Sequence, residues 1–160
     1  PSSVVSPPSA SALRFGSSDG RDTKSPVIRE LHHIGIAVPS LDEAIPRYVE
    51  GMGLQLHSVE EVPSEQVKVA VVMAGRTRIE LLEPTSPDSP VAKFLSKRGP
   101  GVHHLAFEVS STGEMIKVLT ERGAPMLDEA PRTGAHDTQV AFVHPRYLGG
   151  VLAEFVEDPK

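Results

Sequence analysis

Side chains two apart along residues 31–38 (LHHIGIAV) sort into two sets, with His32, Ile34, Ile36 and Val38 on one and His33, Gly35 and Ala37 on the other. That alternation has the period of a β-strand, with a bulky face suited to packing under a helix and a face of small residues that leaves room. Residues 101–109 (GVHHLAFEV) repeat it, with His103, Leu105, Phe107 and Val109 on the bulky face and His104, Ala106 and Glu108 on the other. After each strand the rhythm lengthens. Leu41, Ala44, Ile45, Tyr48, Val49 and Met52 recur at the spacing of one helical face, as do Thr112, Met115, Ile116 and Leu119. Each helix opens on a capping box, Ser40-x-x-Glu43 and Ser111-x-x-Glu114, and meets a glycine stop at Gly53 or Gly123. Pro46 lies inside the first helix, where it removes a hydrogen bond and predicts a kink.

Three short strand-like runs follow each helix, at 54–62, 67–74 and 77–84, then at 124–131, 138–145 and 150–159. The pattern is a βαβββ module written twice. His32-His33 falls on His103-His104 at a separation of 71 residues, and Glu80 falls on Glu154 in the last strand of each module. A half-sheet with one helix leaves a face uncovered, so two modules most simply join into one curved mixed sheet around a shared cavity. The fold class is α+β, with one domain over 29–159: module one at 29–87, a connecting helix within 88–99, and module two at 100–159.

The opening stretch is different in kind. Residues 1–26 hold eight Ser and four Pro with few large apolar groups, and a disordered tail is expected over 1–28. Its Ser content and its Arg14, Arg21 and Lys24 resemble the remnant of an organelle-targeting segment. The net charge of −5 argues against a nucleic-acid partner, and no apolar run is long enough for a membrane-spanning helix. The chain has no cysteine, so any metal must be held by His and carboxylates.

Strand alternation points the second histidine of each pair, His33 and His104, into the cavity. Glu154 sits between Ala153 and Phe155, where a buried carboxylate is costly unless it is paired, protonated or bound to a cation. Glu80, between Ile79 and Leu81, is placed similarly, with Arg78 as a possible ion-pair partner. Two His and two Glu supplied symmetrically by two modules make a site for a divalent first-row metal, with positions left for water or substrate.

Paired βαβββ modules with this His…Glu…His…Glu order resemble the vicinal oxygen chelate superfamily of glyoxalases, extradiol dioxygenases and methylmalonyl-CoA epimerases. More narrowly, HHIGIAVPSLDEA, IELLEPTSPDSPVAKFLSKRGPGVHHLAFEV, PRTGAH and VHPRYLGGVLAEF resemble the methylmalonyl-CoA epimerase family over residues 31–158. The resemblance implies that His33, Glu80, His104 and Glu154 hold a divalent ion, Co²⁺ first and Mn²⁺, Mg²⁺, Ni²⁺ or Zn²⁺ as alternatives. It implies a small-molecule acyl-CoA substrate whose thioester carbonyl and carboxylate meet the metal, and proton removal and return at C2 through an enediolate. Epimerisation needs a base on one face of C2 and an acid on the other, roles expected of Glu154 and Glu80. Where some relatives carry a second carboxylate on the strand 67–74, this chain has Val69. A homodimer and a mitochondrial matrix location, or otherwise a cytoplasmic one, are also implied.

Lys93, Lys97, Arg98, Arg132 and Arg146 are candidates for coenzyme A phosphates, though a solvated charge is the default for each. His136 and His144 lie in motif-like loops, with a turn or surface role as the default. Two rival readings stand beside the epimerase: a glyoxalase I acting on a glutathione hemithioacetal, whose metal set is the same, and a non-catalytic binding protein of the superfamily. An extradiol dioxygenase fits less well, since its iron usually has two His and one carboxylate.

Overall fold

The computed structural model describes residues 26–160, so most of the expected tail lies outside the described residues. Its last residue does not stay a tail. Strand β1 (Ile28–Ala37) begins with Ile28 paired to Val109, and the Val27 carbonyl accepts from the Ser110 N–H at 3.0 Å.

Module one continues with α1 (Leu41–Pro46), β2 (Gln55–Val62), β3 (Val67–Ala74) and β4 (Thr77–Pro84). After α2 (Pro90–Arg98), module two runs through β5 (Gly101–Val109), α3 (Thr112–Glu121), β6 (Arg132–Thr133), β7 (Gln139–Val143) and β8 (Ala153–Glu157). All eight strands form one mixed sheet in the order β2-β3-β4-β1-β5-β8-β7-β6. The order reads the same from either edge once each module's strands are matched. β1 pairs parallel to β4, β5 pairs parallel to β8, and the antiparallel β1–β5 ladder joins the modules. This is the α+β architecture of two tandem βαβββ modules.

The apolar core divides on either side of the sheet. In β3, Ala70 and Val72 pack with Leu41 and Ala44 of α1, while Val69 and Val71 pack with Val62, Leu82 and Val91 on the other face. β3 is therefore buried on both sides and reads as a continuous apolar run. Under α3, Met115 and Leu119 pack on Val109, Val143 and Phe155.

Helix ends show both what the sequence predicts and where it falls short. Ser111 Oγ accepts from the Glu114 N–H at 3.2 Å, but Ser40 makes no such bond. Instead the Leu41 N–H donates to Glu83 Oε1 at 3.0 Å, and in module two the Thr112 N–H donates to Glu157 Oε2 at 2.8 Å. A carboxylate at the end of β4 or β8 thus caps its own module's helix, where negative charge is favoured. Beyond Pro46 the chain widens into a π-helical turn over Arg47–Gly51, closed by the Met52 N–H on the Arg47 carbonyl at 3.0 Å. That turn is the form the expected kink takes.

The strand expected over 124–131 does not form. Only Met126 bridges to Val143, and Asp128 Oδ2 accepts the Phe142 N–H at 2.8 Å. Pro125 and Pro131 have no N–H for a ladder, and the Asp128 carboxylate takes the place of a main-chain acceptor. The first strand after α3 is the two residues of β6.

The two edges of the sheet approach each other. Arg132 of β6 forms an ion pair with Glu65, Ser64 Oγ donates to the Thr133 carbonyl at 3.5 Å, and the His136 N–H donates to Glu60 Oε1 at 3.0 Å. Residues 132–136 are a latch on the β2–β3 turn, and the curled sheet encloses a cavity of about 540 Å³.

Candidate active site

The β1–β5 ladder decides what enters the cavity. Leu31 pairs with Phe107 and His33 with Ala106, so His32 has no partner; Gly35 pairs with His104 and Ile36 with Val102, so His103 has none. Each histidine pair is therefore a β-bulge, one per module, and a bulge redirects side chains that would otherwise alternate. His32 and His103 consequently line the cavity along with His33 and His104. The expectation that they pack only under helices is corrected here, although His103 does meet Phe94 of α2 edge-on at 4.9 Å.

His33, Glu80, His104 and Glu154 are all buried, each less than 10% exposed. His33 Nε2 and His104 Nε2 lie 2.9 Å apart, and Glu154 Oε2 lies 3.2 Å from the first and 2.9 Å from the second. Glu80 meets the other side of the His33 ring, with Oε2 at 2.8 Å from Nδ1. The four residues expected to act together are thus contiguous, but as a triangle of donors with Glu80 behind one of them. The partner of Glu80 is His33 rather than Arg78. Behind the rings, His32 Nδ1 lies 2.8 Å from His33 Nδ1, His103 Nδ1 lies 2.9 Å from His104 Nδ1, and Asp158 Oδ1 lies 3.1 Å from His32 Nε2.

Backbone register makes the triangle possible. Glu80 is across β4 from Gly35, Glu154 is across β8 from Ala106, and His104 is across β1 from Gly35. A Cβ on Gly35 would stand 2.2 Å from His104 Cε1, so only glycine leaves the ring its place.

Burial alone would lower the His33 imidazole, but Glu80 and Glu154 outweigh it and hold its pKa at about 9. Burial would raise both carboxyls, yet His33 holds Glu80 below its ordinary value, and hydrogen bonding from His104 holds Glu154 well below. Burial, with His104 adding to it, lowers His103 to about 4.

Three donor atoms with mutual separations of 2.9 to 3.2 Å fit one divalent ion. Donors about 2.1 Å from a common centre and at right angles to one another span edges of about 3 Å. Two neutral imidazoles and one carboxylate are also a donor set for first-row metals. These residues fit a divalent metal.

Other expected groups are engaged elsewhere. Arg132 is held by Asp128, at 2.5 Å, and by Glu65, so its charge is already met. His136 pairs with Glu60, and His144 Nδ1 accepts from the Arg146 N–H at 3.1 Å within a turn. Asp128, Glu65 and Asp158 carry no motif; their roles come from contacts between segments far apart in the chain.

Residues 32–142 match the family model described as the Glyoxalase/Bleomycin resistance protein/Dioxygenase superfamily. The chain is 38% identical over 125 residues to the mitochondrial methylmalonyl-CoA epimerase of Homo sapiens, spanning 78% of this chain and 71% of that protein. The chain belongs to this superfamily and, within it, to the methylmalonyl-CoA epimerase family. The ethylmalonyl-CoA/methylmalonyl-CoA epimerase of Cereibacter sphaeroides is another member, 36% identical over 130 residues that span 80% of this chain and 97% of that protein. A solved Streptomyces coelicolor methylmalonyl-CoA epimerase, in complex with 2-nitronate-propionyl-CoA, superposes with a TM-score of 0.79. It is 31% identical, and the match covers 84% of this chain and all of that one. The curled eight-stranded sheet of this chain is the fold of that epimerase.

Proposed function

We propose that this enzyme interconverts (2R)- and (2S)-methylmalonyl-CoA, with a divalent ion held by His33, His104 and Glu154. The observation that carries the reading is the triangle of His33 Nε2, His104 Nε2 and Glu154 Oε2, built from both modules inside the cavity of a chain of this family. When bound, the ion supplies the Lewis acidity that stabilises negative charge on the thioester oxygen as C2 loses its proton. Co²⁺ is the ion expected to support the highest rate, with Mn²⁺, Mg²⁺, Ni²⁺ and Zn²⁺ as alternatives.

The chain's own residues do the rest. The Glu80 carboxylate, 2.8 Å from His33 Nδ1, favours a proton on that nitrogen and so leaves Nε2 unprotonated toward the cavity when the ion is bound. His103 offers the equivalent partner to His104 Nδ1. Glu154 Oε2 lies against both histidines, leaving Oε1 to exchange a proton with C2. The apolar wall of Val62, Val67, Val69, Val140 and Phe142 excludes water from the carbanion. A homodimer and a mitochondrial matrix location, or otherwise a cytoplasmic one, belong to the same reading; the Ser-rich opening segment and the mitochondrial human relative favour the matrix, and light scattering and cell fractionation test both calls.

The test is to strip the protein with chelator, restore each ion in turn, and follow deuterium from solvent into C2 of both epimers. Exchange should return with metal and be lost in His104→Ala. A folded protein that exchanges neither epimer with any ion overturns the reading, and the glutathione hemithioacetal is then the next substrate to try.

A further inference from the structure

Epimerisation needs a proton carrier on each face of C2, and Glu154 accounts for one. The other must line the cavity and keep an atom that can carry an exchangeable proton open to it. Most candidates fail one of these conditions. Val69 lines the cavity but carries no proton. Glu80 is closed off behind His33 Nδ1, and His136 sits toward solvent, 36% exposed, with Nδ1 on Glu60. His32 is held at one nitrogen by His33 and at the other by Asp158.

Glu65 meets the conditions. It ends the 3₁₀ turn Pro63–Glu65 between β2 and β3, and its side chain lines the cavity at 22% exposure. Two carbonyl contacts hold its backbone. The Glu65 carbonyl accepts from the buried Ser89 hydroxyl at 3.5 Å, and the next carbonyl, Gln66, accepts from the Thr85 N–H at 2.8 Å. Arg132 Nη1 donates to Oε1, and no hydrogen bond holds Oε2 among the described residues.

Position adds to this. Glu154 stands on β8 and Glu65 hangs from the β2–β3 turn, with β4, β1 and β5 between β3 and β8 in the sheet. The curl of the sheet brings those separated strands around one cavity, and both carboxyls line it. Burial pushes the Glu65 carboxyl up, Arg132 opposes that, and the charge of Glu154 adds to it.

We propose that Glu65 is the second acid/base of the reaction, serving the face of C2 opposite Glu154. The assignment rests on the epimerase reading above. In one direction the C2–H bond breaks and its proton goes to Glu154 Oε1, while the electron pair moves onto the thioester oxygen. Protonated Glu65 then delivers its proton to the other face of C2, and the carboxyls return to their starting states by exchange with solvent. In the reverse direction the roles interchange.

The experiment compares solvent deuterium exchange at C2 of each epimer, supplied separately, in the Co²⁺-loaded wild type and in Glu65→Gln. Glutamine keeps an oxygen for Arg132 but carries no acidic proton. Interconversion should fall about 100-fold or more, while the epimer served by Glu154 still exchanges with retention and the other does not. Exchange of both epimers at wild-type rates, or equal loss for both in a folded variant with full metal content, overturns the proposal. If Glu65→Gln does not fold, Glu65→Asp keeps the charge and retracts the carboxyl, and the same one-sided slowing is required of it. A wild type that exchanges neither epimer would instead overturn the epimerase reading itself.

Discussion

Gly35 lies across the β1–β5 ladder from His104, and the imidazole occupies the space where a Gly35 side chain would be. Phe142 and His103 wall the ring at 5.7 and 5.2 Å between centroids, so it cannot yield without leaving the triangle. Gly35→Ala should therefore spare the fold and damage the site. Co²⁺ affinity should fall about 10- to 100-fold by calorimetry, with the epimerisation rate following. The melting temperature of the metal-free protein should stay within a few degrees of wild type. Unchanged Co²⁺ affinity would mean that His104 is not a ligand.

The charges around His33 set how the metal-free protein responds to pH. His33, raised from 6.5 to about 9, contributes stability in full below 6.5 and loses it as pH rises through about 9. His103, lowered from 6.5 to about 4, contributes above 6.5 and loses it as pH falls through about 4. Glu80 and Glu154, both held below the ordinary 4.5, contribute above that value and lose it as pH falls further. Thermal unfolding in the presence of chelator should show maximum stability near pH 6.5, with a decline on both sides. Loading the ion displaces the His33 proton, so calorimetry at pH 7.5 in buffers of different ionisation enthalpy should report about one proton released. No proton release would contradict the placement of His33 in the site.

Glu83 and Glu157 occupy equivalent places in the two modules, each accepting the first N–H of its own helix. Glu83→Ala and Glu157→Ala should each cost about 1 kcal/mol in urea unfolding, and the double variant about the sum, since the two caps share no partner. Catalysis should be unaffected by Glu83→Ala. A stability loss near zero would show that water replaces the carboxylate without penalty.

Much of this was legible because a duplicated module checks itself. Strands 67–74 and 77–84 and the helix stops at Gly53 and Gly123 are where the periodicity puts them. His33, His104 and Glu154 converge in the cavity, while Glu80, the repeat equivalent of Glu154, stands behind His33. What escaped depends on contacts that no period encodes. Strict alternation cannot foresee that His32 and His103 are the extra residues of two bulges. The pattern around 124–131 looks like a strand, but its prolines and Asp128 turn the segment to a different use. The Arg132–Glu65 pair joins residues 67 apart in the chain, and only the curl of the sheet brings them together.

That latch can be taken apart by asking which partner Asp128 serves. Asp128 accepts from Arg132 Nε at 2.5 Å, from Arg132 Nη2 at 3.4 Å and from the Phe142 N–H at 2.8 Å, and it is 9% exposed. Asp128→Ala removes all three acceptor contacts and strands a β7 N–H, which should cost about 2 to 3 kcal/mol. Arg132 is half-exposed, and Arg132→Ala leaves Asp128 its bond to Phe142 and lets water reach Glu65; about 1 kcal/mol is expected. The double variant should cost less than the sum of the two, because the Asp128–Arg132 pair is already broken once the aspartate is gone and only the arginine's pair with Glu65 is left to lose. Denaturant unfolding of the four proteins in the cycle checks this. Should Arg132→Ala prove as costly as Asp128→Ala, the stability of the latch would reside in the arginine's hold on Glu65 rather than in the aspartate beneath it.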